Sequence, residues 1–154
     1  KIITGNIRST PRRTNRINQT NEMNQTNQKT ILVAINDIFF YTKVRDALRT
    51  KGYTIEKART QQDIADKASS IGPRLVILDM NDMAVNSFHA LETLKADLRL
   101  NAIPTLAFAN HEEVDTWNRA KALGITKIVS RNEFSARTRE LVDELIASNV
   151  KGKT

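Results

Sequence analysis

The chain has 154 residues, enough for one domain with a real core plus tails. It contains no cysteine, which excludes disulfides, thiol nucleophiles and thiolate metal sites and fits a reducing, cytoplasmic setting, and no apolar run nears the roughly 20 residues of a membrane helix. The net charge of +7 sits in the tails: Lys1, Arg8, Arg12, Arg13, Arg16 and Lys29 outweigh Glu22, Lys151 and Lys153 close the chain, and residues 30–150 balance 16 basic with 16 acidic side chains. A neutral body argues against a dedicated nucleic-acid binder.

In chain order, residues 1–29 come first. They show no hydrophobic period and carry Asn-Gln-Thr-Asn at 18–21 and again at 24–27. Such sequence cannot offset its ordering entropy by burying apolar area, so it is expected to be disordered or docked on a partner. The basic cluster at 8–16 offers Arg8, Arg12, Arg13 and Arg16 to phosphates, an acidic protein surface or anionic lipid. The plainer reading is a solvated linker.

From Thr30 the pattern changes. The run "TILVAIN" (30–36) predicts a buried parallel strand. A helix follows with Phe40, Val44 and Leu48 on one face and Gly52 expected as its C-cap. "YTIEKA" (53–58) reads as a weaker strand, and Thr60 with Asp63 resembles a capping box opening a helix that Gly72-Pro73 stops. "RLVILD" (74–79) is the third strand, running straight into a carboxylate. Leu91, Leu94 and Leu98 mark a helix from near Asn86, "IPTLAFA" (103–109) a fourth strand, and Val114, Trp117 and Ala120 a helix ended by Gly124. "TKIVS" (126–130) is the fifth strand, and one last helix carries Phe134, Leu141 and Leu145.

Strands alternating with helices through short loops specify an α/β parallel sheet covered on both faces. The expected architecture is a flavodoxin-like three-layer sandwich, strand order 2-1-3-4-5, over residues 30–149, flanked by tails at 1–29 and 150–154. Its site belongs at the carboxyl ends of strands one and three, which puts Asn36 and Asp37 beside Asp79.

Other chemistries find little support. His89 and His111 lack any metal spacing and are expected to be solvated. Five glycines form neither a phosphate-binding loop nor a dinucleotide fingerprint. No nucleophile elbow of the G-x-S-x-G kind occurs. Trp117, the only tryptophan, reads first as a half-buried anchor and second as a contact for a partner.

The segments "KTILVAIND", "LVILDMNDMAVNSFHALETLK", "IPTLAFAN" and "AKALGITKIVS" together resemble a response-regulator receiver domain, from about Lys29 to Leu145. The resemblance implies that Asp79 holds the phosphoacceptor position. It also implies acidic metal seats after the first strand, where this chain has Ile35 and Asn36, with Asp37 one step on. A family hydroxyl ending the fourth strand is here Ala109, the aromatic of the fifth strand is Ile128, and the Lys-Pro pair is Arg131-Asn132. Metal seat, hydroxyl, aromatic and lysine fail together, so the chain resembles a degenerate pseudo-receiver.

A pseudo-receiver implies a non-enzymatic signalling or scaffolding module that binds protein partners independently of Asp79 phosphorylation and needs no cofactor. Its degenerate site comprises Asp79, Asn36, Asp37, Ala109 and Arg131, with Arg131 expected to pair directly with Asp79. The partner face implied by the family is the fourth helix, fifth strand and fifth helix, here roughly 112–122, 126–130 and 133–147, including Trp117 and Ile128. The alternative is a working phosphoacceptor of a phosphorelay, with Mg²⁺ held by Asp37, Asp79 and the Asn81 carbonyl. A third reading gives the tail the function, binding nucleic acid or a membrane surface.

Overall fold

A computed structural model describes residues 29–82 and 85–152. The expectations for Arg8, Arg12, Arg13 and Arg16 and for the Asn-Gln-Thr-Asn repeats lie outside the described residues. The elements are β1 (Thr30–Ala34), α1 (Ile38–Arg49), β2 (Thr54–Lys57), α2 (Gln61–Ile71), β3 (Leu75–Asp79), α3 (Ser87–Ala96), β4 (Thr105–Ala109), α4 (Val114–Ala122), β5 (Lys127–Ser130), α5 (Arg131–Ala136) and α6 (Thr138–Gly152). All strand pairs are parallel and the order is β2-β1-β3-β4-β5, as the sequence predicts. No helix among the described residues is long and apolar enough to cross a membrane.

Strand periodicity splits the core in two, because successive side chains point to opposite faces. Leu32, Ala34, Val76, Leu78, Ala107 and Ala109 face α2, α3 and α4, where Ile64, Ala68, Leu91, Leu94 and Ala120 are buried. Ile31, Val33, Ile77, Leu106, Phe108 and Val129 face α1, α5 and α6, against Tyr41, Val44, Leu48, Phe134, Leu141 and Val142. β1, β3 and β4 are buried at every position, hence their unbroken apolar runs, whereas the edge strand β2 is partly exposed throughout.

Local signals place most helix ends. The Thr60 hydroxyl accepts the Asp63 N–H at 3.1 Å, while the Asp63 carboxylate accepts from Arg59 N–H, one residue further out than a full capping box requires. Gly72 closes α2 in the left-handed region at φ 64°, which a side chain would disfavour.

Three expectations need correction. α1 ends at Arg49 with Thr50 as its C-cap, and Gly52 sits beyond it in the following turn. α3 ends at Ala96, so Leu98 is not on its buried face but lies 88% exposed in the loop. The last helix is two helices. Arg137 leaves helical geometry at φ −126°, and the Thr138 hydroxyl donates to the Phe134 carbonyl at 2.6 Å where α6 begins. α6 then runs on to Gly152.

Candidate functional site

The site lies at the carboxyl edge of the sheet, where β1, β3, β4 and β5 end. Asp79, last residue of β3, is only 6% exposed. One of its oxygens, Oδ1, accepts the Asn81 N–H at 3.0 Å, and its carbonyl accepts the buried Ser87 hydroxyl at 2.7 Å. Burial pushes its carboxyl up from the usual carboxylate range. The Asn81 N–H and the Arg131 charge oppose that rise, and the Asp82 and Asp37 charges add to it.

Asp37 stands on the outer rim as N-cap of α1. Its Oδ1 accepts the N–H groups of Phe39 and Phe40 at 3.1 and 3.2 Å, and its Oδ2 accepts from Arg131 at 3.1 Å. The Phe40 N–H is the main cause holding its carboxyl below the usual range, with Phe39 N–H and Arg131 assisting against a smaller cost of burial.

Arg131 opens α5 directly after β5. Its guanidinium lies over the Phe40 ring at 4.2 Å and 5.8 Å from the Phe108 centroid, which suits a planar, weakly hydrated cation. The expected Asp79–Arg131 ion pair is present but long, and the guanidinium is shared with Asp37. Arg131 makes its hydrogen bond to Asp37 and stands 4.0 Å from Asp79 Oδ2. The reason is placement: Phe40 supports the guanidinium beside the α1 cap, whereas Asp79 lies deeper among buried groups.

The structure brings Asp37, Asp79 and Arg131 together. Asn36 does not join them, because its side-chain amide donates to the Arg59 carbonyl at 3.3 Å, on the β2–α2 side. Ile35 is fully buried in the core under α1. Ala109 is fully buried on the opposite face of the sheet. Trp117 and Ile128 are half-buried, packed against that same cluster. His89 and His111 are both exposed, with His111 lying 4.0 Å from Glu112.

A second set of contacts is not foreseen from the sequence, where Asn81 matters only for its backbone. The Asn81 side chain accepts the Asn110 N–H at 2.9 Å and donates to Glu113, and the Trp117 indole N–H donates to the Asn110 carbonyl at 3.0 Å. These bonds join the β3–α3 loop to the start of α4. The available signal was the pairing of amides at strand ends, Asn81 after β3 and Asn110 after β4.

The donor set suits a hard divalent cation poorly. Mg²⁺ wants near-octahedral oxygen ligands. Ile35 offers none, the Asn36 amide is engaged elsewhere, both Asp37 oxygens accept hydrogen bonds, and a guanidinium already faces both acids. No group of three or more acidic or histidine side chains arranged for a metal ion occurs among the described residues.

A scan against protein-family models and a search of curated proteins give no match. Solved structures give many. The receiver domain of a signal transduction histidine kinase from Syntrophus aciditrophicus superposes with a TM-score of 0.71 at 18% identity, over 78% of this chain and 91% of that one. The chemotaxis protein CheY4 of Vibrio cholerae gives 0.68 at 17% identity, over 75% and 97%. NtrX from Brucella abortus gives 0.72 at 17% identity over 80% of this chain, which spans 28% of the longer NtrX chain. At these identities the likeness establishes a fold.

Proposed function

With the receiver fold of the response regulators as premise, we propose that this chain is a non-enzymatic signalling or scaffolding module. It engages protein partners without requiring phosphorylation of Asp79. The observation that carries the reading is the position of Arg131. A fixed guanidinium bonds Asp37 at 3.1 Å and faces Asp79 at 4.0 Å, supplying positive charge to two acids that would otherwise need a metal. Phosphoryl transfer to a carboxylate depends on a metal to neutralise charge on both reactants, and these residues do not fit one.

Two further features support it. Ala109 has no hydroxyl to meet a phosphoryl oxygen, and Ile128 has no ring to swing when that hydroxyl is engaged. The aromatics instead form a fixed trio on the other face, with Phe108 stacked on Phe134 at 4.7 Å and Phe40 edge-on to Phe108 at 5.3 Å. The partner surface in this reading comprises α4, β5 and the α5–α6 segment, with Trp117 and Ile128 within it. Arg8, Arg12, Arg13 and Arg16 would add a tethered second contact to an acidic surface.

The test is an NMR titration of backbone amides around Asp79, first with Mg²⁺ and then with beryllofluoride, in the wild type and Asp79→Asn. The expected result is no saturable shift at millimolar metal. Saturable shifts that vanish in Asp79→Asn would instead establish a working phosphoacceptor.

A further inference from the structure

Of the three helices on its face of the sheet, α2, α3 and α4, the last buries the fewest residues. Among its residues only Ala120 is fully buried, its N-cap residue Glu113 makes no side-chain capping bond, and Val114 is 61% exposed. Apolar burial therefore contributes little to fixing where this helix begins. Its flank is supported at the surface, where Arg119 lies over the Phe88 ring at 4.2 Å and 3.7 Å from Glu92. At its start, polar contacts take over.

Asn81 is the centre of those contacts. Its backbone N–H donates to Asp79, its side-chain oxygen accepts the Asn110 N–H, and its side-chain nitrogen donates to Glu113. The Asn110 carbonyl in turn accepts the Trp117 indole N–H. A primary amide suits this place because it donates and accepts at once. Aspartate could accept from Asn110 but would meet the Glu113 carboxylate as a like charge. Alanine could do neither.

We propose that Asn81 is a positioning residue: its side chain latches the β4–α4 loop and the start of α4 to the loop after Asp79, fixing the α4 surface without a phosphoryl group. The latch gives that surface one resting position, through a bond from the acid-bearing loop that replaces any pull from a hydroxyl at Ala109. The functional meaning rests on the reading given under the proposed function; the latch itself does not.

The test uses the full chain and two readouts, amide hydrogen exchange over residues 110–117 and the fluorescence of Trp117, the only tryptophan. Asn81→Ala keeps the backbone N–H to Asp79 and removes both side-chain bonds. Exchange over 110–117 should quicken about thirtyfold, as expected for loss of two hydrogen bonds worth roughly 1 kcal/mol each from a weakly anchored segment. Trp117 emission should shift to the red while β1 and β3 keep their protection. Asn81→Asp should behave likewise, and Asn81→Asp with Glu113→Gln should restore slow exchange, because the donor and acceptor have traded places. A merely structural effect of residue 81 would not be rescued by that pair. Unchanged exchange over 110–117 in Asn81→Ala, or no rescue in the double variant, overturns the latch. Either failure leaves the phosphorylation-independent reading standing, since beryllofluoride titration decides that separately.

Discussion

The two flanks of the carboxyl rim are held by different forces. On the α1–α5 flank, Phe40, Phe108 and Phe134 interlock and carry Arg131 on top of them. On the α4 flank, the strands present Ala107 and Ala109, and the start of the helix depends on Asn81, Asn110 and Trp117. The first flank is fixed by packing, which is costly to alter and has one solution. The second is fixed by a few hydrogen bonds, each worth about 1 kcal/mol net, so it can be released without unfolding the domain. One side of the rim is thus held by interlocked rings and the other by polar contacts.

The largest expected effect breaks the aromatic flank. Phe108→Ala removes the ring between Phe40 and Phe134 and should cost about 3–5 kcal/mol in urea unfolding, with Arg131 losing its support. A loss under about 1 kcal/mol would mean that the trio is not what holds this flank. A smaller effect is expected from Ser87→Ala, which leaves the Asp79 carbonyl without its buried donor. About 1–2 kcal/mol should be lost, with β3 and the α3 start exchanging faster.

The two acids should then move stability in opposite directions with pH. The Asp79 carboxyl is raised in the folded state, so folding favours its protonated form. Its contribution is most favourable below the unfolded carboxylate value and is lost as pH rises through the folded one. Asp79→Asn should therefore raise the Tm at neutral pH and flatten the decline above the ordinary carboxylate range. The Asp37 carboxyl is lowered, so its contribution is complete above the unfolded value and disappears as pH falls through the folded one. Asp37→Asn should leave the acid limb less steep. Finding both variants with the same pH slope would contradict the division of labour between a buried acid and a paired rim acid. The smallest effect belongs to Leu98→Ser. This residue is exposed in a loop, and the change should lie within about 0.5 kcal/mol of zero.

The fold was legible because its strands are buried on both faces. Thr30–Ala34, Leu75–Asp79 and Thr105–Ala109 announce themselves as short apolar runs, and Thr60 and Gly72 mark the ends of α2 by their own chemistry. The break at Arg137 was not legible, because roughly residues 133–147 read as one helical pattern. It is made by the Thr138 hydroxyl and by Arg137 reaching Glu133 and Glu144, contacts that need the three-dimensional arrangement. The candidate site was half legible. Sequence placed Asp37, Asp79 and Arg131 at one rim, but which acid takes the guanidinium depends on Phe40 beneath it, a residue whose pattern marks it only as core. Asn81 stands out in the sequence for its carbonyl alone, since nothing local reveals that Asn110 and Glu113 lie across from its side chain.

The most direct test of the proposal that the Arg131 guanidinium takes the place of a metal beside Asp37 and Asp79 is intact-mass measurement after incubation with acetyl phosphate and excess Mg²⁺. The chain should keep its unmodified mass, while Arg131→Met, with the guanidinium gone, should show a higher affinity for Mg²⁺ at Asp37 and Asp79. A labile phosphoryl adduct on Asp79 of the wild-type chain, accompanied by a shift in the α4 amides, would contradict it.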